Sequence, residues 1–276
     1  MGEPPKAELF SSQAEAYRAY RPTYPDALFR WLASLSPDRS LAWDCACGSG
    51  QATLGLIRHF DHVVATDISE AQLAGVSTRG RLAMRDTVPG TASHDARRPR
   101  ATGSVSVRAE PAERSSFASA SVSLTLVAQA LHWFDLDAFY REVHRVSRPG
   151  AAIVGMTYDL PRVSARVDGV IDDLYGFLDG YWPQGREHVE NRYADIPFDF
   201  TRLPAPDILM SAAWTAESLL GFLRSWSAVA NYERATGIDI VKRWTRPILD
   251  AWGGESHSRG VSWPLTILAG RVSGAV

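Results

Sequence analysis

Asp44 and Asp67 are the two carboxylates placed best for ligand chemistry. Each closes a short apolar run, Leu41-Ala42-Trp43 and Val63-Val64-Ala65-Thr66. Asp44 leads into Cys45-Ala46-Cys47-Gly48-Ser49-Gly50-Gln51, with small residues at 46, 48 and 50, and then a helical stretch from about Ala52 to Phe60. That spacing makes a tight strand-to-helix turn, and glycine lets a ligand approach bare main chain. The ligand then meets N–H groups at a helix N-terminus. A nicotinamide dinucleotide fingerprint needs G-x-G-x-x-G, and from Gly48 the third glycine position is Thr53, a poor fit. Asp67, ending the next run, stands at the distance from the turn at which an acidic side chain reaches ribose hydroxyls. A carboxylate accepts two such bonds well. The plainer alternatives are a joint between strand and helix for the turn, and a helix cap for Asp67 ahead of Ser69-Glu70-Ala71-Gln72-Leu73.

His132 is the candidate general base, because it follows the fourth apolar run, Val122 to Val127, where a pocket opens. Its alternative role is packing beside Trp133 with a local hydrogen bond. His59 and His62 flank a helix end, where a cation suits the dipole, and take no catalytic role. Arg186, Arg192 and Arg224 can each pair a substrate carboxylate, and no spacing selects one of them. The aromatics after Tyr158 (Tyr175, Phe177, Tyr181, Trp182, Tyr193, Phe198 and Phe200) read mainly as core and cover, some able to roof an apolar pocket.

These residues must be held by short strands alternating with helices. Further runs at Val105-Ser106-Val107 and Ala151-Ala152-Ile153-Val154, with a helix from about Asp135 to Val146, predict an α/β fold. Its sheet is doubly wound and mostly parallel, with helices on both faces. Upstream, residues 8–20 have helical composition, Arg21-Pro22-Thr23-Tyr24-Pro25 interrupts, and Asp26 to Leu35 forms a second helix. Trp214 begins another helical stretch. Residues 75–104 carry six arginines among Gly, Pro, Ser and Thr, with few large apolar side chains, and read as a mobile surface insertion.

Composition narrows the class. The chain has 276 residues, 45% hydrophobic and 22% charged, with net charge -2. Nucleic-acid binders usually carry a basic excess, so no nucleic-acid partner is expected. No run of about 18 apolar residues predicts a membrane helix. Met1-Gly2-Glu3-Pro4-Pro5 lacks the basic start and apolar stretch of a secretory signal. The two cysteines, Cys45 and Cys47, suggest no disulfide framework and no metal site, and a cytoplasmic location is expected.

Together, Asp44–Gln51, Ala65-Thr66-Asp67-Ile68-Ser69, Pro111-Ala112-Glu113, Ala128-Gln129-Ala130-Leu131-His132-Trp133-Phe134 and Arg148-Pro149-Gly150 resemble class I S-adenosylmethionine (SAM)-dependent methyltransferases. More narrowly they resemble the methyltransferase type 11 group that includes trans-aconitate methyltransferase-like proteins. Phe10, Tyr17, Tyr20-Arg21-Pro22, Tyr24-Pro25, Trp226-Ser227, Trp263-Pro264-Leu265 and Gly270-Arg271 fit that subgroup. The resemblance implies a Rossmann-like seven-stranded sheet with an N-terminal helical lid over 1–40, a SAM-binding core over 41–158, and a helical, aromatic substrate cover with the remaining strands over 159–276. It implies that Asp44, Ala46, Gly48 and Gly50 shape the turn under the methionine portion of SAM. Asp67 holds the ribose and Ile68 packs on the adenine. Ala112 offers backbone to the adenine edge, beside Pro111 and Glu113. Ala128 and Gln129 lie near the sulfonium, and Tyr17 and Arg21 belong to the lid. Ala46 stands where the first glycine is commonest, and Pro111 where many relatives carry an acidic residue. Arg148-Pro149-Gly150 only turns the chain into the fifth strand. The implied activity is methyl transfer to a small molecule, such as a carboxylic acid like trans-aconitate. The alternatives are a protein or RNA methyltransferase, or a SAM-binding protein without catalysis.

Overall fold

The computed structural model of the chain describes residues 20–76 and 103–273. They fall into two compact units. One comprises Thr23–Thr157, Ile196–Pro206 and Thr266–Val276, and the other Met1–Pro22, Tyr158–Asp195 and Asp207–Leu265, each so far as described.

The first unit is built on a sheet. Its strands are β1 (Leu41–Cys45), β2 (His62–Asp67), β3 (Ser104–Ala109), β4 (Val122–Ala128), β5 (Ser147–Tyr158) and β6 (Thr201–Arg202). The strands β7 (Leu209–Trp214) and β8 (Arg259–Arg271) follow in the chain. The hydrogen-bonded order is β3-β2-β1-β4-β5-β8-β6, with β7 paired to β8 off that path. Neighbours from β3 to β5 are parallel, whereas β6 is antiparallel to β8. The fold is therefore the expected α/β one, with a central, mostly parallel sheet. The chain winds outward from β1 to β3, then returns to β4 and winds the other way. A crevice at the carboxyl ends of β1 and β4 is the consequence, and open α/β sheets bind ligands there.

Burial explains why these runs become strands. In β1 and β4 nearly every residue is buried, as expected where helices cover both faces of a parallel sheet. Trp43 is fully buried and its indole N–H donates to Thr66 Oγ1 at 2.8 Å, tying β1 to β2. Helix α1 (Asp26–Leu35) buries Leu28, Phe29, Leu32 and Ala33. Helix α2 (Gln51–Leu56) follows the turn, and residues 70–76 form the described part of α3. A Cβ on Gly55 of α2 would sit 2.0 Å from the Phe29 ring, so α1 and α2 touch through a position only glycine fits. Helix α4 (Leu136–Val146) is capped by Asp135, which accepts the Ala138 N–H at 3.1 Å.

The second unit contains α5 (Ala165–Phe177), α6 (Arg186–Glu190), α7 (Ala216–Arg224), α8 (Ser227–Thr236) and α9 (Ile240–Trp252). Side chains of Ser164, Thr215 and Asp239 cap α5, α7 and α9. β7 pairs antiparallel with the first half of β8.

Four expectations are corrected. The helix expected from Ala52 to Phe60 is α2, ending at Leu56, with turns beyond it. Arg148-Pro149-Gly150 belongs to β5 itself, as an irregularity: Val122 pairs with Ser147 but Leu124 pairs with Ala152, so the intervening residues bulge. Trp214 ends strand β7, and Thr215 starts the helix, because Leu209–Trp214 alternates in burial with period two. The edges of the expected 75–104 insertion belong to packed elements. Val76 is buried with Cys47, Ala65 and Leu73, and the Gly103 N–H donates to Ile57 O at 3.0 Å ahead of β3. The remainder, 77–102, and the expected helix at 8–19 lie outside the described residues.

Candidate functional site

The turn after β1 is shaped by backbone conformation. Ala46, Gly48 and Gly50 all take positive φ, at 51°, 53° and 83°. The Cys47 N–H donates to Thr66 O at 2.9 Å and the Gly50 N–H to Cys47 O at 3.0 Å, fixing the loop against β2. The space beside Gly48 is open: a Cβ there would meet no heavy atom within 4 Å. Gly50 instead backs onto Val76, 3.0 Å from where its Cβ would be. Ala46 holds a left-handed conformation without being glycine, at a cost of roughly 1–2 kcal/mol. The position does require positive φ, so the alanine here is a strained fit.

Asp67 closes the loop. Its Oδ2 accepts the Gly48 N–H at 2.9 Å and its Oδ1 accepts the Ser69 N–H at 2.8 Å. The two motifs singled out in the sequence are thus in direct contact. Each carboxylate oxygen keeps a second lone pair for a further donor. Burial pushes the Asp67 pKa up, against the hydrogen bonds from Ser69 and Gly48. The bond to Ser69 has the form of the helix-start role weighed above. The bond to Gly48 adds something that role does not require.

Asp44 is fully buried. The Thr53 hydroxyl donates to its Oδ2 at 2.5 Å, and its Oδ1 has no hydrogen-bond partner among the described residues. Burial pushes its pKa up to about 7 against the Thr53 bond, and the Asp67 charge adds to the rise. The residue that spoils a dinucleotide fingerprint is therefore the one that anchors the strand-one carboxylate. Cys45 and Cys47 are free, buried thiols, their pKa values raised chiefly by burial. Among the described residues no group of three or more His, Cys, Asp or Glu side chains is arranged to hold a metal ion.

The other expected residues line the same carboxyl edge. Ile68 follows Asp67 with 46% of its surface exposed, unusual for a large aliphatic side chain. After β3, Ala112 is buried, Pro111 O accepts the Arg114 N–H at 3.3 Å, and Glu113 Oε1 accepts the Asp135 N–H at 3.2 Å. Ala128 ends β4 opposite Met156 of β5. Gln129 follows with φ 63°; its N–H donates to Met156 O at 2.8 Å, and its side-chain Oε1 accepts the Thr157 hydroxyl at 3.0 Å. His132 lies in the 3₁₀ turn Leu131–Trp133, its ring 4.9 Å from that of Trp133. Packing on Trp133 is thus a contact it makes.

Tyr17 lies outside the described residues. Arg21 belongs to the helical unit, where its guanidinium donates to Ser225 O at 3.1 Å and to the Tyr158 hydroxyl at 3.4 Å, and covers the Phe222 ring at 5.0 Å. In the same unit Arg186 pairs with Asp159 at 2.6 Å and packs against Tyr175 and Trp182. Sequence reasoning gave no role to Thr157 or to the Thr53 hydroxyl. Thr157 acts through Gln129, 28 positions away, and Thr53 through Asp44 across the strand-to-helix turn, and residue type alone announces neither pair.

Comparison with known proteins decides the family. The methyltransferase domain family matches residues 43–155, the span from β1 to β5. A Dictyostelium discoideum protein named as a methyltransferase is 27% identical over 269 residues, covering 95% of this chain and 94% of its own. A solved structure from Anaeromyxobacter dehalogenans, assigned to the type II methyltransferases, is 41% identical, with a TM-score of 0.76, over 93% of this chain and all of that one. The chain belongs to the SAM-dependent methyltransferases. A Saccharomyces cerevisiae protein named as a SAM-dependent methyltransferase is also similar, at 25% identity over 57% of this chain and 50% of its own. Among the described residues of this methyltransferase no helix is long and apolar enough to cross a membrane.

Proposed function

We propose that this methyltransferase binds SAM on the turn at 44–50 and Asp67, and transfers its methyl group to a small molecule, with a carboxylic acid such as trans-aconitate as the acceptor class. The observation that carries the reading is the Gly48 N–H bonded to Asp67 Oδ2, which joins the bare-backbone turn to the strand-two carboxylate. The residues present suit the cofactor. Gly48 faces open space, Asp44 keeps an oxygen with no partner among the described residues, Asp67 retains lone pairs, and Ile68 offers an exposed apolar face.

When bound, SAM supplies an activated methyl on a cationic sulfur. The chain's task is to orient the acceptor and exclude water, and such positioning supplies much of the acceleration. In this reading Asp67 accepts from the ribose hydroxyls and Ile68 packs against the adenine, with Pro111, Ala112 and Glu113 along its edge. Ala46, Gly48 and Gly50 let the main chain approach the amino-acid portion. Asp44 holds the loop and sets a negative potential toward a cation. Ala128 and Gln129 border the sulfonium, and His132 serves as base for an acceptor that must lose a proton. A carboxylate acceptor needs none, since it is ionised near neutral pH. The lid role of Tyr17 and Arg21 narrows to the segment before residue 23, because α1 packs within the sheet unit.

The net charge of -2 supports a small acceptor over a nucleic acid. A methyl-transfer screen against carboxylates, amines and bulk RNA tests this. Turnover on carboxylates alone is expected. Turnover on RNA, or on none of the three despite SAM binding, overturns the acceptor class.

A further inference from the structure

The carboxyl edge of β4 and β5 holds an arrangement that cofactor binding does not account for. Gln129 sits at φ 63°, a conformation that costs a non-glycine residue roughly 1–2 kcal/mol. Strain of this kind persists only where surrounding bonds enforce it. Two do so, and both come from β5: Met156 O accepts the Gln129 N–H at 2.8 Å, and the Thr157 hydroxyl donates to Gln129 Oε1 at 3.0 Å. Thr157 is itself buried, at 1% exposure. With Oε1 engaged, the Nε2 amide group is shielded from solvent and finds no acceptor among the described residues. An orphaned buried donor is costly, so it calls for an acceptor from outside the described residues, a ligand or an ordered water.

Strand order indicates the use. Asp44 and the turn belong to β1, Asp67 to β2 and the 111–113 segment follows β3, so the residues assigned to the cofactor lie on that side of β4, except Ala128 and Gln129, which in that reading border the sulfonium at the end of β4 itself. Gln129 and Thr157 lie on the opposite side of the switch point, at β4 and β5. That is the side left for the methyl acceptor.

We propose that Thr157 is a positioning residue. Its hydroxyl fixes the Gln129 carboxamide with oxygen inward, so that Nε2 remains as a donor to an oxygen of the methyl acceptor. The proposal rests on the cofactor reading only for which side of the crevice the acceptor occupies. The device selects acceptors that present a hydrogen-bond-accepting oxygen and disfavours ammonium groups, which would meet a donor head-on.

The test uses the full chain, labelled with ¹⁵N and saturated with S-adenosylhomocysteine. The Gln129 side-chain amide signal is assigned by its loss in Gln129→Leu, and acetate is the oxygen probe. A saturable acetate-dependent shift is expected in the wild type and in Thr157→Ser, with none from ethylammonium. Thr157→Val should weaken the response about fivefold, the loss of one ordinary hydrogen bond's worth of positioning. No acetate-dependent shift in the wild type, an equal shift with ethylammonium, or an undiminished response in Thr157→Val overturns the proposal. If Thr157→Val fails to fold, the wild-type titration with the two probes still decides it. Calorimetry with S-adenosylhomocysteine is run in parallel, and the acetate titration is repeated on the unliganded protein. Lack of cofactor-product binding then counts against the cofactor reading, while the acetate response judges Gln129 on its own.

Discussion

The two halves of the sheet's carboxyl edge are built from different materials. At β1 and β2 the site is mostly main chain: three alternate positions, 46, 48 and 50, at positive φ, with a carboxylate gathering the N–H groups of Gly48 and Ser69. At β4 and β5 it is a pair of side chains, Thr157 donating to Gln129 over one strained backbone position. The first half leaves its mark in the residue sequence because glycine and other small residues are what such a backbone demands. In the second only Gln129 is marked and its pairing with Thr157 is not, because a hydroxyl and a carboxamide 28 positions apart are brought together only by strand pairing.

The largest effect should come from breaking the first half. Asp67→Ala removes the acceptor of two N–H bonds and the proposed ribose partner, and should weaken SAM binding by roughly 1–3 kcal/mol, the usual cost of orphaning charged hydrogen bonds. Calorimetry checks this, and unchanged affinity would remove Asp67 from the cofactor site.

The buried carboxylate gives a pH test of the same half. Asp44 has its pKa raised to about 7 by burial, so it is largely protonated at pH 6 and ionised at pH 8. A cationic ligand favours the ionised form, so SAM affinity should rise as pH climbs through that range. Stability should move the other way. Between its ordinary carboxylate range and about 7 the folded state holds a proton that the unfolded chain has released. Stability then falls as pH rises, by at most about 1.4 kcal/mol per unit for one group. Asp67, also raised, adds a contribution of the same sign. Asp44→Asn should flatten both trends while keeping a partner for Thr53. Denaturant titrations and calorimetry between pH 5 and 8 read both, and an unaltered pH dependence in the variant contradicts the assignment.

Smaller effects sharpen the main-chain account. Gly48→Ala meets no steric neighbour, so its cost should be the left-handed conformation alone, about 1 kcal/mol. Ala46→Gly should relieve the same strain at a position already at φ 51°, and raise stability by up to about 1 kcal/mol after the added flexibility of the unfolded chain. Opposite signs from two positions in one turn are the expected result in thermal melts. A stabilising Gly48→Ala would show that the turn is not held as described.

Much of the fold was legible beforehand. Asp26–Leu35 is a helix as its apolar spacing predicts, and the alternating runs correctly give a mostly parallel α/β sheet. Trp214 fits either a strand end or a helix start by residue type, because Leu209–Trp214 is a short strand running directly into the Thr215 cap. Ala46 was seen as a departure from glycine, but the strain it carries depended on a φ value that residue type does not report. Thr53 looked like a failed third glycine, and only the strand-to-helix packing reveals it as the partner of Asp44.

The most direct test of the central claim is calorimetric titration of the unmodified chain with SAM. One saturable site per chain is predicted, with affinity in the micromolar range, about -8 kcal/mol. No heat of binding up to roughly millimolar SAM, where binding would be weaker than about -4 kcal/mol, would contradict the assignment of the 44–50 turn and Asp67 to the methyl donor.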